Sequence, residues 1–172
     1  GATLMTLLIG TEVRDTLASG GAVVALESTI FSHLGLPSPS NHTALTECIA
    51  AIRNAGAVPA ITAVLDGVAR VGLDESEHER ILGPARKVGE REVALAVAQR
   101  WDVGATTVSA SLLLAARAAI GVFATGGIGG VHRDAHLHGD VSADLGALAS
   151  HPVVTVSAGA KSFLDLPRSE EH

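Results

Sequence analysis

The chain has 172 residues, which is long enough for one domain with a buried core. It carries 12 Lys and Arg against 18 Asp and Glu, and the resulting net charge of −6 excludes a basic face that binds the nucleic-acid backbone. The single cysteine, Cys48, excludes an internal disulfide and fits a reducing compartment.

Short apolar runs predict strands at residues 22–26, 57–65, 68–72, 120–124 and 152–157. Asp66-Gly67, between the second and third runs, is the usual pair for a tight hairpin and predicts one antiparallel pairing. Helices are predicted at residues 41–54 with Asn41 as N-cap, at 74–82 starting at Asp74, at 90–100, at 106–118, and briefly near Ser142. This alternation predicts a single layered α/β domain, residues 1–172, with a mixed sheet.

The stretch from Val103 to Val131 is nearly uncharged, so a membrane span is an alternative to a buried element. Arg117 interrupts the stretch, and the glycines of "TGGIGG" would break a helix. We interpret it as a buried helix followed by a strand and a loop. The opening "GATLMTLLIG" lacks the basic region of a secretory signal, so we expect a soluble protein of the cytoplasm.

Three of the predicted strands are followed by residues that could carry chemistry. Glu27 follows the first strand, Thr125 and a glycine-rich loop follow the fourth, and Lys161 comes shortly after the last. Ligands of open α/β sheets bind beyond the carboxyl ends of the strands. If these strands are parallel, we expect a carboxylate, a glycine-rich loop and a lysine at one edge.

Lys161 and Glu27 each have two interpretations. The stem of Lys161 could pack over the sheet edge with its ammonium near solvent or Asp165. Alternatively, partial desolvation could lower the pKa of Lys161, so that its neutral amine attacks a carbonyl carbon and forms an imine. Glu27 could be a structural carboxylate or a general acid.

The loop "TGGIGGVHR" suits an anion, because glycines let successive N–H groups point into one concavity. Thr125, His132 or Arg133 could add hydrogen-bond donors. The spacing of its glycines does not match the dinucleotide-binding fingerprint. A tight turn without a ligand is the alternative.

The segment at residues 132–144 holds three histidines and three aspartates. His136 and His138 could be two ligands of a zinc ion, and with His132 and Asp140 they would suit a metal-dependent hydrolase. Solvated loop histidines are the alternative. Asp140 and Asp144 better suit a hard, partly hydrated cation such as Mg²⁺ or Mn²⁺.

Several motifs occur in one order along the chain, namely "VALESTI", "NAGAVPAITAVLDG", "GATTVSAS", "VFATGGIGGVHR", "DVSADL" and "VSAGAKSFLDLP". Together they resemble the pseudouridine-5′-phosphate glycosidase family, also called indigoidine-synthase-A-like. The resemblance implies a three-layer α/β/α fold with a mixed sheet, assembled as a homotrimer. It also implies reversible cleavage of pseudouridine 5′-phosphate to uracil and ribose 5-phosphate with a divalent metal, commonly Mn²⁺.

The resemblance further implies roles for individual residues. Lys161 would be the nucleophile that forms an imine with the ring-opened sugar, Glu27 would assist ring opening, and Asp140 would bind the metal. Contacts with the substrate and its phosphate would be made by the remaining matched positions, Lys87, Val108, Thr125, His132, Ser142, Ala143 and Asp144.

The resemblance has two departures. Gly89 stands where the family motif has a serine after Lys-Val. Family members also continue well past Pro167, and "LDLPRSEEH" predicts a turn, an N-cap at Ser169 and the start of a helix. We therefore expect the chain to be the N-terminal portion of a longer fold. A non-catalytic ribose-phosphate-binding or assembly module is the alternative to an enzyme.

Overall fold

The structure, a computed structural model, describes residues 6–125 and the short strand at 154–157. Within these ranges, a mixed sheet of eight strands packs against helices on both faces. The strands are β1 (Leu7–Ile9), β2 (Val23–Leu26), β3 (Val58–Leu65), β4 (Val68–Val71), β5 (Arg86–Val88), β6 (Val103–Thr106), β7 (Val122–Thr125) and β8 (Val154–Ser157). The helices are α1 (Thr11–Ala18), α2 (Ser40–Asn54), α3 (His78–Ile81), α4 (Val93–Ala98) and α5 (Val108–Arg117), with 3₁₀ turns at Thr29–Phe31, Glu75–Glu77 and Glu90–Glu92.

Strand β3 is the centre of the sheet. On one side it pairs antiparallel with β4, which pairs in turn with β1. On the other side two strands share its length, since β2 runs parallel to residues 58–61 and β6 runs antiparallel to residues 63–65. The sheet continues in parallel from β2 to β7 and β8, and in parallel from β6 to β5.

The two faces of the sheet carry separate apolar cores. One core joins α1, α4 and α5 to the sheet and contains Val64 and Phe123. The other joins α2 and α3 to the opposite face and contains Leu65 and Phe31. Val64 and Leu65 belong to different cores because successive side chains of a strand point to opposite faces. The predicted three-layer α/β/α arrangement is thus confirmed.

The predicted hairpin at Asp66-Gly67 is also confirmed. Leu65 pairs with Val68 across a two-residue turn, and the β3–β4 pairing is antiparallel. Asp66 and Gly67 have φ angles of 52° and 77°, which is the geometry of a type I′ turn.

The predicted N-cap of α2 is wrong, because that helix begins at Ser40, before Asn41. The side-chain amide of buried Asn41 instead donates hydrogen bonds of 2.9 Å to the carbonyls of Phe31 and Leu82. Asn41 therefore ties α2 to two neighbouring loops. Asp74 does form the predicted N-cap, in a capping box with Glu77.

The helix predicted at residues 106–118 is confirmed as α5, except that its first predicted residue, Thr106, belongs to a strand. Strand β6 ends at Thr106, and α5 starts after Thr107, whose hydroxyl accepts a hydrogen bond from the amide of Ala110. Strands β1, β5 and β6 and helix α1 were not predicted. Among the residues that the structure describes, none of the helices has the length and apolarity that a membrane crossing needs.

Candidate active site

The carboxyl ends of four strands converge on one line in the sheet, which we call the seam. Strands β2 and β7 run toward it in parallel, and β5 and β6 approach it from the opposite direction. Leu26 of β2 pairs with Ile61 of β3, whereas Ala105 of β6 pairs with Ala63, so Thr62 marks the seam. Residues that follow these strands are therefore brought together.

Four fully buried hydroxyl groups, Ser28, Thr62, Thr106 and Ser111, form a connected cluster at the seam. The Thr106 hydroxyl oxygen lies 3.0 Å from that of Ser28 and 2.9 Å from that of Thr62. Thr62 also lies 2.8 Å from the hydroxyl of Ser111, which donates to the carbonyl of Thr107. This hydroxyl cluster therefore satisfies its polar atoms without water, as buried polar groups require.

Glu27 directly follows β2 and lies at the seam with 5% of its surface exposed. Hydrogen bonds hold the peptide groups on both sides of it. The Thr62 hydroxyl donates to the carbonyl of Leu26 at 2.9 Å, and the amide of Ser28 donates to the carbonyl of Thr106 at 3.2 Å. The carboxylate thus stands on a fixed backbone, while its catalytic role stays a prediction.

Cys48 of α2 lies within electrostatic reach of Glu27. Burial, with smaller contributions from the carboxylates of Glu47 and Glu27, raises the pKa of the Cys48 thiol to about 12. A thiol with so high a pKa stays protonated at neutral pH and is a poor nucleophile. The geometry thus leaves Cys48 as a packing residue.

Thr125 ends β7 beside β2 and is fully buried. None of the residues that the structure describes hydrogen-bonds to its hydroxyl. Buried hydroxyls generally have a partner, so Thr125 has hydrogen-bonding capacity left for a ligand or for the segment that follows. This fits the predicted anion contact, which remains a prediction.

Lys87 and Val108 approach the seam from the side of β6. Lys87 is an exposed residue of β5 and pairs with Ala105, whereas Val108 is buried and opens α5. The amino end of a helix carries partial positive charge. Lys87 and the first turn of α5 therefore both favour an anion near the seam.

Gly89 follows β5 at the position where the family motif has serine. Its amide donates to the Glu92 carboxylate at 2.9 Å. A Cβ at Gly89 would lie 2.8 Å from Oε1 of Glu92 and 3.8 Å from the hydroxyl of Thr107. In this chain the Glu92 side chain therefore occupies the space beside residue 89.

The remaining predicted site residues lie outside the described residues, namely Lys161, His132, Asp140, Ser142, Ala143 and Asp144, as do His136 and His138 of the hydrolase hypothesis. Strand β8, which precedes Lys161 in the sequence, is described and runs parallel to β7. The parallel arrangement expected for the strands before Glu27, Thr125 and Lys161 is thus confirmed. Within residues 6–125 and 154–157, no group of three His, Cys, Asp or Glu side chains could hold a metal ion.

The hydroxyl cluster and the approach of β5 and β6 were not predicted. A signal for the cluster was available, because Thr62 interrupts the apolar run of β3 and Thr106 ends another apolar stretch. Hydroxyls in such runs need buried partners. Which partners they find depends on the strand pairing.

A sequence profile described as indigoidine synthase A like protein matches residues 12–172. The chain belongs to this family. A relative from Streptomyces griseus, named pseudouridine-5′-phosphate glycosidase, is 56% identical over 162 residues, covering 93% of this chain and 50% of the relative. A Myxococcus xanthus protein of the same name is 52% identical over 170 residues, covering 97% of this chain and 55% of that protein.

This indigoidine synthase A-like chain thus spans about half the length of the curated relatives it matches. Solved structures show the same fold. The prealnumycin C-glycosynthase AlnA, in complex with ribulose 5-phosphate, is 36% identical with a TM-score of 0.70, over 98% of this chain and 55% of that one. An indigoidine synthase A-like protein from Thermotoga maritima is 35% identical with a TM-score of 0.69, over 97% and 54%.

Proposed function

We propose that the protein containing this chain cleaves the carbon–carbon glycosidic bond of pseudouridine 5′-phosphate reversibly, giving uracil and ribose 5-phosphate. The observation that carries the proposal is the position of Glu27, buried at the carboxyl end of β2 on the same edge as β8, which leads in the sequence to Lys161. The names of the relatives support the reaction, and the ribulose 5-phosphate in the C-glycosynthase supports a pentose phosphate as ligand.

Glu27 would act on the sugar ring. A carbon-linked base offers no heteroatom lone pair at the glycosidic bond for an acid to protonate, so the ordinary glycosidase route is closed. The Glu27 carboxyl would instead give a proton to the ring oxygen as the bond between that oxygen and C1′ breaks, which opens the ribose and leaves C1′ open to a nucleophile. Its burial at the seam keeps bulk water away from that transfer.

Lys161 would supply the nucleophile. Its Nζ attacks C1′ of the opened sugar. When the bond between C1′ and C5 of the base breaks, the electron pair goes to C5, which takes up a proton, and the nitrogen lone pair completes an imine. Water hydrolyses the imine, releasing ribose 5-phosphate and restoring the lysine amine.

The phosphate and the ribose would be held from several sides. Lys87, Val108 at the first turn of α5, and the Thr125 hydroxyl stand near the seam, and His132 with residues 142–144 would complete the contacts. Lys87 supplies a positive charge and Thr125 a donor that no described residue uses. These contacts would give a preference for phosphorylated sugars.

Asp140 would hold a divalent cation, Mn²⁺ or Mg²⁺. Its carboxylate, in a segment that also contains Asp134 and Asp144, provides the hard oxygen donors that such ions prefer. When bound, the ion would offset the negative charge of the substrate. Assembly as a homotrimer and location in the cytoplasm are further parts of the proposal.

The proposal predicts a covalent adduct on Lys161. Borohydride should reduce an imine between Lys161 and ribose 5-phosphate, so mass spectrometry should find the sugar attached at this residue. We expect Lys161→Ala to abolish the adduct and the release of uracil, measured with Mn²⁺ restored after chelation. Lys87→Ala is the matched control, since it should weaken binding yet leave adduct formation at saturating ribose 5-phosphate. Labelling of Lys161→Ala at the wild-type level would refute the assignment.

A further inference from the structure

Side-chain hydroxyl groups add hydrogen bonds to the peptide groups around Glu27, at the place where two strand pairings of β3 end. The pairing of β2 with β3 ends at Ile61, and that of β6 with β3 ends at Ala63. At this point the Thr62 hydroxyl donates to the carbonyl of Leu26, the last residue of β2, at 2.9 Å.

The same hydroxyl cluster holds the following peptide. The amide of Thr106 donates to the Ser28 hydroxyl at 2.8 Å, and the amide of Ser28 donates back to the Thr106 carbonyl at 3.2 Å. The Thr106 hydroxyl donates to the carbonyl of Thr62 at 2.8 Å. Thr62 is therefore the residue that connects both sides of Glu27 to β3.

Burial makes the hydrogen bonds of these four hydroxyl groups hard to replace. All four are fully buried, so loss of one leaves its partners without water to replace it. The Thr29 hydroxyl also donates a hydrogen bond of 3.0 Å to the carbonyl of Ala105. Glu27 is thus preceded by a residue anchored on β3 and followed by two residues anchored on the end of β6.

We propose that Thr62 is a positioning residue of the reaction, whose hydroxyl fixes the backbone of Glu27 and thereby the place of its carboxyl group at the seam. Thr62 does not touch the substrate in this proposal. The inference rests on the proposed function, because it acts through Glu27. Catalysis would then require the buried hydroxyl of Thr62 in addition to the carboxyl group of Glu27.

The test compares Thr62→Val, which removes the hydroxyl, with Thr62→Ser, which keeps it. Ser32→Ala is the matched control, because Ser32 is also fully buried and donates to a backbone carbonyl, that of Thr29, at 2.8 Å. Amide hydrogen exchange measured by NMR is the first readout. In Thr62→Val the amide of Ser28 should exchange roughly tenfold faster than in the wild type, relative to the amide of Val64.

Turnover of pseudouridine 5′-phosphate by the intact protein is the second readout. We expect Thr62→Val to lower kcat about tenfold to a hundredfold with little change in KM, as for a displaced catalytic group. Thr62→Ser should retain most of kcat. Added to Glu27→Gln, Thr62→Val should cause no further loss, because both act through the same carboxyl group.

The outcomes separate this inference from the proposed function. An unchanged exchange rate of Ser28, an equal loss of kcat in Ser32→Ala, or full additivity with Glu27→Gln would overturn the role of Thr62. Absence of turnover in the wild type would overturn the proposed function, and the exchange comparison would then decide alone whether Thr62 fixes the Glu27 backbone. If Thr62→Val does not fold, Ser28→Ala removes the other side-chain hydrogen bond at this place. It must then speed exchange of the residue-28 amide and lower kcat in the same way.

Discussion

At the scale of single residues, Arg70 of β4 and Glu77 form a two-pronged ion pair. The two hydrogen bonds measure 2.7 and 2.8 Å, and the side chains are 12% and 23% exposed. The Arg70 guanidinium holds the pKa of Glu77 below its ordinary value of 4.5. Since the unfolded chain then takes up a proton at higher pH than the folded one, the pair stabilises the fold above that value and ceases to do so as pH falls through the lowered pKa.

We therefore expect Glu77→Gln to lower the free energy of unfolding at neutral pH by about 2 kcal/mol, the contribution of a hydrogen-bonded charge. The difference from the wild type should shrink as the pH falls through the lowered pKa of Glu77. Urea unfolding at several pH values measures both. Glu79→Gln is the control, because that side chain is 81% exposed. A difference that stays constant down to acid pH would contradict the assignment.

Among the elements, the β3–β4 hairpin depends on one glycine. Gly67 has a φ of +77°, and a Cβ there would lie 2.8 Å from the backbone Cα of Arg100. Gly67→Ala combines a left-handed backbone with a clash against main chain, so we expect it to lower the free energy of unfolding by about 2–3 kcal/mol. Chemical denaturation checks this value.

Gly56 provides the matched control for that substitution. Its φ is +84°, yet a Cβ there would have nothing within 4 Å. Gly56→Ala should therefore show only the conformational cost, about 1 kcal/mol. If the two variants lose the same free energy of unfolding, the clash with Arg100 contributes nothing to the loss in Gly67→Ala.

Elements with long apolar runs could be predicted from the sequence, and short or charged ones could not. Strand β3 has eight mostly apolar residues and an adjoining turn pair, so its boundaries were nearly correct. Strand β5 is "RKV", with two exposed cations, and lacks any local signature. The predicted start of α5 at residue 106 was too early because the Thr106-Thr107 pair suits either a strand end or a helix cap.

The candidate site could be predicted in part for the same reason. Glu27 and Thr125 follow apolar strands, so their place at the carboxyl edge follows from parallel pairing. The hydroxyl cluster could not be predicted, because it requires β6 to run antiparallel to β3 at one register. Nothing local to Ser28 or Thr106 specifies that register, which is set by packing of the whole sheet.

At the scale of the whole molecule, the two apolar cores share one sheet and should melt together. Phe31 is fully buried in the core beside α2, whereas Trp101, the single tryptophan, belongs to the core on the opposite face. We expect Phe31→Ala to lower the free energy of unfolding by about 3–5 kcal/mol. The transition seen by Trp101 fluorescence should shift as far as that seen by far-UV circular dichroism.

Leu34→Ala is the control for Phe31→Ala, because Leu34 is close in sequence yet 49% exposed. Its effect should be about 0.5 kcal/mol or less. A Trp101 transition that stays at the wild-type midpoint in Phe31→Ala would show that the two faces of the sheet unfold separately.

The ends of β2 and β6 meet from opposite directions, and this arrangement also restricts the order in which the chain can fold. Strands β3 and β4 need only a two-residue turn to find each other, whereas Ser28 and Thr106 are separated by 78 positions. Closing so long a stretch of chain carries an entropic cost that local contacts do not. The hairpin can therefore form early, while the surroundings of Glu27 are completed only after most of the chain has been placed. A nascent or partly unfolded protein would hold this hairpin and still lack the buried surroundings of Glu27.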